Sequence, residues 1–217
     1  MSLKENIKEN VYVCQNPLIQ YFLTQIRDKN SDSVKFRNSV REASKYLIYE
    51  AFSKIKTKDV SIETPVAKAE GVDFQNKFIV APILRAGLSM VDSVMETLPF
   101  AQIRHIGLYR NEETLQPVEY YVKLPDNIGE DTIVLITDPM LATGGSAIST
   151  IDVFKKRNMP TKNIKFICLI ASQYGIDKLT EAHKDVEVYC ATVDKELNSH
   201  GYIVPGLGDA GDRCFGT

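Results

Sequence analysis

The chain has 217 residues, 44% of them hydrophobic and 25% charged, with a formal net charge of −2. This balance fits a single globular domain, and the lack of a basic excess argues against nucleic acid or an anionic membrane surface as partner. Cys14, Cys168, Cys190 and Cys214 form no C-x-x-C pair, and the three histidines fall in no H-x-x-x-H or H-E-x-x-H spacing, so neither a disulfide framework nor a histidine-held metal is expected.

The opening MSLKENIKENVYV is polar and lacks a signal-peptide core. No apolar run approaches the roughly 20 residues that a membrane span needs, so a cytoplasmic protein is expected. Residues 1–60 read as mainly helical, because Val40, Ala43, Leu47 and Ala51 recur at i, i+3 and i+4 spacing. Residues 76–84, NKFIVAPIL, form a short β-branched apolar run that predicts a buried strand. Leu88, Val91, Val94, Met95 and Leu98 predict a helix over 87–99, stopped by Pro99. QIRHIGLY (102–109) predicts a strand. Residues 110–125, with Pro at both flanks of Glu-Tyr-Tyr-Val, predict a β-arm. DTIVLIT (131–137) is a strand and 144–158 an amphipathic helix. A strand (163–172), a helix (175–183) and a strand (186–193) follow. The tail, 195–217, is glycine-rich and is expected to be irregular backbone forming a hood. Alternating strands and helices imply an α/β fold, a central parallel sheet flanked by helices. Its ligands belong outside the carboxyl ends of the strands.

The most informative junction is VLITDPMLATGGSA, 134–147. A helix N-terminus carries unpaired N–H groups and positive dipole charge, and small residues let a phosphate approach it. An acid at the strand end would repel that phosphate but can accept hydrogen bonds from the hydroxyls of a ribose. Asp138 followed by Thr143-Gly144-Gly145-Ser146 therefore suits a ribose 5-phosphate. The plainer reading is a tight turn with Ser146 capping the helix. No Lys follows the glycines, so this is not a P-loop. Arg85, ending a strand at LRAG, and Arg110, opening the arm, suit either an anion grip or solvated charges. Gly87 is expected to let the backbone approach a ligand closely.

TDPMLATGGSA resembles the phosphoribosyl diphosphate (PRPP) motif of the uracil phosphoribosyltransferase family. PILRAGL (82–88), LYRNEETLQPVEYY (108–121) and GYIVPGLGDAGDRCFGT (201–217) resemble that family in the same order, so the likeness runs over nearly the whole chain. The resemblance implies a single phosphoribosyltransferase domain over 1–217 that makes UMP and diphosphate from PRPP and uracil. It implies PRPP contacts at Arg85, Arg110, Asp138, Pro139, Met140, Leu141, Ala142, Thr143, Gly144, Gly145, Ser146 and Asp209. It places uracil on Ile203, Gly208, Asp209 and Ala210. Catalysis would rest on Asp138, Arg85, Arg110 and Asp209, with Asp209 also a candidate base for uracil N1. Pro139 stands where phosphoribosyltransferases generally carry a second acid, so Mg²⁺ is expected to be held mainly by PRPP and water rather than by protein ligands. A homodimer or larger assembly and a GTP effector are further expectations. ASQYGI (171–176) departs from the Pro-Glu-Gly usual in the family.

Rival readings are weaker. An RNA-binding regulator would need a basic face. Orotate would call for a cation near the base, and residues 201–211 contain none. Residues 206–211, GLGDAG, match a G-x-G-x-x-G dinucleotide fingerprint. That motif requires a following helix, strand and distant acid, for which the six residues after it leave no room. Gly206, Gly208 and Gly211 read better as turns of unusual backbone angle in a hood that presents backbone donors and acceptors to uracil and excludes larger purines.

Overall fold

Every residue of the runs TIVLIT and IKFICLIAS is buried, as strands covered on both faces require. They form the middle of the sheet in the computed structural model, which describes residues 4–110, 117–126 and 128–217. In chain order the elements are β1 (Lys4–Lys8), β2 (Val11–Cys14), α1 (Pro17–Arg27) and α2 (Ser33–Phe52). Next come β3 (Thr57–Glu63), β4 (Lys68–Phe74), β5 (Lys77–Leu84), a 3-10 turn (Ala86–Met90) and α3 (Val91–Thr97). Then follow β6 (Gln102–Ile103), β7 (Ile106–Arg110), β8 (Pro117–Val122), β9 (Thr132–Thr137) and β10 (Met140–Leu141). The last are α4 (Gly145–Lys155), β11 (Ile164–Ser172), α5 (Gln173–Ala182), β12 (Glu187–Asp194), β13 (Glu196–Leu197), β14 (Ile203–Val204) and α6 (Ala210–Phe215).

The main sheet runs β1-β2-β12-β11-β9-β5-β7-β8. All pairings from β2 to β7 along this order are parallel, and antiparallel β1 and β8 close its edges. One face is covered by α4 and α5 through Ile151, Phe154, Ile176 and Leu179. The other is covered by α1, α2, α3 and α6, through residues such as Ile19, Phe36, Leu47, Val94 and Cys214. The expected parallel sheet flanked by helices is present, and the carboxyl ends of β5, β9, β11 and β12 gather at one edge.

Several local expectations change. The N-terminal region is mainly helical as expected, α1 and α2 spanning 11 and 20 residues, but two unforeseen strands precede the helices, and β2 joins β12 because Val11 and Cys14 bury there. The predicted helix over 87–99 starts as a 3-10 turn and becomes α-helical at Val91. Val94 and Leu98 are buried in it, while Leu88 and Met95 stay exposed. The predicted strand at 102–109 is two pieces in one register, pairing with β5 at Ile79–Val80 and again at Ile83–Leu84. The exposed ribbon β3–β4 was not foreseen; its strands are largely polar and bury no residue in the core. The β-arm is seen as β8 against β7, and its residues 111–116 lie outside the described residues. The tail is not simply irregular: β13 and β14 form a small ribbon, and α6 follows Asp209.

Candidate active site

β9 and β11 pair up to Thr137, where the ladder is interrupted. The Asp138 N–H donates to the Ile167 carbonyl at 3.2 Å, and the Pro139 carbonyl accepts from Leu169 at 2.9 Å and Ile170 at 3.2 Å. Pairing resumes with β10. The detour delivers Asp138 to a cavity of about 350 Å³. One oxygen of its carboxylate accepts the Met140 N–H at 3.3 Å. Desolvation by the surrounding protein outweighs that bond and pushes the Asp138 pKa from 3.8 up to about 7.

Residues 140–147 continue the cavity wall. Gly144 takes φ +84°, a left-handed conformation that favours glycine. It is also the N-cap of α4 and offers no side-chain cap. The N–H groups of the first turn therefore open towards the cavity, with Thr143 and Ser146 beside them. The plainer reading, with Ser146 capping α4, is not met: Gly144 holds that position.

This turn rests on a second one. The Ser172 hydroxyl, fully buried, donates to the Ala142 carbonyl at 2.5 Å and accepts the Gly175 N–H at 2.8 Å. A Cβ on Gly175 would lie 2.5 Å from the Ala142 carbonyl oxygen and 2.7 Å from that of Leu141. The start of α5 thus supports the loop from beneath, in the stretch whose sequence departs from the family pattern.

Arg85 follows β5. Gly87 does make a close approach, but to the protein rather than to a ligand: a Cβ there would meet the Thr137 carbonyl oxygen at 2.5 Å. The Arg85 turn is thereby packed against the end of β9. The guanidinium, mostly exposed, stands 3.6 Å from Asp212 of α6 and is not part of the cavity wall. Arg110 ends β7 opposite Pro117; its side chain lies outside the described residues. Pro139 is buried below the cavity rather than in its wall.

The opposite wall belongs to the hood. Ile203 and Asp209 line it, joined by His200, Gly201 and Tyr202, which the sequence reading did not assign. Only their position next to Ile203 could have suggested them. Gly206 and Gly208 adopt φ +57° and +80°, as their expected conformational freedom allows. Gly211 does not; it lies within α6, where a Cβ would come 3.2 Å from the Asp209 carboxylate. Asp209 caps α6, its Oδ1 accepting the Asp212 N–H at 2.9 Å. Gly208 and Ala210 flank Asp209 without lining the cavity.

Among the described residues no group of three or more His, Cys, Asp or Glu converges as a metal site. The cavity offers two single carboxylates, Asp138 and Asp209. That donor set suits a divalent ion brought by a phosphate ligand better than one caged by the protein. A larger cavity of about 780 Å³ lies at the amino ends of β5 and β9, near Phe74, Phe78 and Phe100. It contains none of the site residues expected from sequence.

The family profile described as uracil phosphoribosyltransferase matches residues 13–217. A uracil phosphoribosyltransferase of Geobacillus sp. (strain WCH70) is 52% identical over 208 residues, 95% of this chain and 98% of that protein. One from Dictyoglomus thermophilum is 49% identical over 208 residues, 95% of this chain and 99% of its own length. A solved structure from Aquifex aeolicus superposes with a TM-score of 0.88 at 34% identity, covering 94% of this chain and 97% of that one. An adenine phosphoribosyl transferase from Trypanosoma brucei shares the fold alone, with a TM-score of 0.58 at 10% identity over 95% of this chain and 91% of that one.

Proposed function

Because this chain belongs to the uracil phosphoribosyltransferase family, we infer that the cavity over the ends of β9 and β11 is where it transfers the phosphoribosyl group of PRPP to uracil, giving UMP and diphosphate. The observation that carries this assignment is the composition of the cavity walls. A strand-end acid and a glycine helix N-terminus form one, and the glycine-rich hood forms the other.

In the reaction the bond between ribose C1 and the diphosphate oxygen breaks, and a bond from uracil N1 to C1 forms. N1 gives up its proton. Positive charge grows on the sugar ring as the diphosphate departs, so positioning and electrostatics supply most of the catalysis. Asp138, once ionised, accepts hydrogen bonds from the ribose 2- and 3-hydroxyls. The α4 N-terminus with Thr143 and Ser146 holds the 5-phosphate. Arg85 exchanges its contact with Asp212 for the diphosphate, whose oxygens a guanidinium can bind in pairs. Arg110 is the second candidate grip. The hood presents backbone donors and acceptors to the edge of uracil, and Asp209, reaching the cavity from the hood, is the candidate acceptor for the N1 proton. Mg²⁺, when bound with PRPP, neutralises diphosphate charge. Asp138 and Asp209 are the carboxylates that would face its hydration shell.

The family resemblance also supports a homodimer or larger assembly, a GTP response and a cytoplasmic location. Among the described residues no helix is long and apolar enough to cross a membrane. Sedimentation, with and without GTP, tests the first two. The activity itself is tested by incubating the protein with PRPP, Mg²⁺ and uracil, cytosine or hypoxanthine. UMP from uracil alone is expected, and its absence would overturn the reading.

A further inference from the structure

The hood is tied to the opposite end of the chain by an ion pair that touches no part of the cavity. Arg27, in the last turn of α1, donates through Nη2 to Asp194 Oδ1 at 2.7 Å and through Nη1 to Oδ2 at 2.9 Å. The same Nη1 donates to the Gly206 carbonyl at 2.8 Å, and the Gly206 N–H donates to Asp194 Oδ2 at 2.9 Å. The pair thus satisfies both backbone polar groups of Gly206. Asp194 ends β12 and is 7% exposed, so its charge is compensated by the guanidinium rather than by water.

Gly206 stands midway between Ile203 and Asp209, the hood residues that line the cavity. At φ +57°, a Cβ on it would collide with the Ile203 carbonyl, so the turn is already drawn tight. Fixing Gly206 therefore fixes the height of Ile203 and Asp209 over the base. A second anchor holds the neighbouring residue independently: Arg213 donates to the backbone carbonyls of Leu207 at 2.8 Å and Asp28 at 2.6 Å, with its guanidinium 4.3 Å over the Phe36 ring.

We propose that Arg27 and Asp194 are a positioning pair for uracil, setting the affinity and selectivity of the base half of the site while leaving the sugar-phosphate half alone. This rests on the reading of the hood as the uracil wall. The phosphate loop has its own support in Ser172 and Gly175, so the two halves should respond separately.

The test uses the full chain with Arg27→Lys, which keeps the charge but loses the fork, and Asp194→Asn, which keeps the shape but loses the charge. Each is expected to raise the KM for uracil about tenfold or more, as losing a charge-assisted hydrogen bond does. The KM for PRPP should move by less than about twofold, and the ratio of cytosine to uracil use should rise. Arg27→Ala should regain uracil affinity when methylguanidinium is added. An unchanged KM for uracil, or equal rises in both KM values without chemical rescue, would overturn the proposal. Should Asp194→Asn fail to fold, the two Arg27 variants decide the matter. Failure of the unmodified protein to make UMP would instead overturn the parent reading.

Discussion

The Ser172 hydroxyl donates to the carbonyl of Ala142 at 2.5 Å, which makes the first turn of α5 a floor for the phosphate loop. Gly175 completes that floor, and the atoms a Cβ would meet there belong to backbone that cannot swing away. Gly175→Ala is therefore expected to displace residues 141–142 and raise the KM for PRPP by roughly tenfold or more, with a smaller effect on uracil. Ser172→Ala, which removes the hydroxyl without adding bulk, should do the same more mildly. Steady-state kinetics varying each substrate in turn check both.

Asp138 must be ionised to accept hydrogen bonds from ribose hydroxyls, yet burial pushes its pKa up to about 7. The kcat/KM for PRPP should therefore fall about tenfold per pH unit below neutrality, as this parameter follows ionisations of the free enzyme. Asp138→Asn should lose roughly 10²- to 10³-fold in turnover at pH 8 and show no such acid limb. Retention of the limb in the variant would assign it to another group.

The same burial has a cost in stability. Well below pH 3.8 the carboxyl is protonated in both states. Between the unfolded value of 3.8 and the native value of about 7, the unfolded chain gives up its proton while the folded one retains it. Stability therefore falls as pH rises through that window and stays reduced above it. Asp138→Asn does not titrate, so its denaturation midpoint should move above that of the unmodified protein as pH is raised. The advantage should plateau at roughly 4 kcal/mol by pH 8, at about 1.4 kcal/mol per pH unit. Urea titrations at pH 4 and pH 8 measure it.

Two hood glycines separate strain from collision. Both have positive φ, but a Cβ on Gly208 meets only the Arg213 side chain at 3.8 Å, whereas one on Gly206 meets the Ile203 backbone. Gly208→Ala should cost about 1–2 kcal/mol of left-handed strain and leave a working site. Gly206→Ala should cost more and raise the KM for uracil sharply. Thermal melting and uracil saturation curves distinguish the two.

Metal dependence should follow the substrate. EDTA is expected to abolish turnover and added Mg²⁺ to restore it, with the half-saturating Mg²⁺ concentration tracking that of the PRPP complex. Calorimetric titration with Mg²⁺ alone should show no tight site; a tight site would point to a protein-held ion.

The buried central strands and the glycine junctions were legible because each is written locally: continuous apolar runs for β9 and β11, and T-G-G-S beside Asp138. The ribbon β3–β4 was not, since its residues are polar and exposed and no core pattern marks them. Nor was β2, next to the sheet edge, which lies in a short polar context and buries through pairing with β12. The Gly211 expectation failed because a glycine in sequence does not say whether it serves a turn or a helix. Ser172 as a support and Arg27 with Asp194 as a tie lay beyond sequence reading. Arg27 and Asp194 are 167 positions apart, and nothing local distinguishes either from a surface charge.

That separation also orders the assembly of the molecule. The sugar-phosphate half closes over short spans, such as the 30 positions between Ala142 and Ser172. The base half closes over spans of 179 from Arg27 to Gly206 and 187 from Ile26 to Arg213. Contacts so distant along the chain form late, because closing a longer loop costs more chain entropy. A refolding chain should therefore recover its grip on a phosphorylated sugar before it can choose a base, and mild denaturant should erase the choice first.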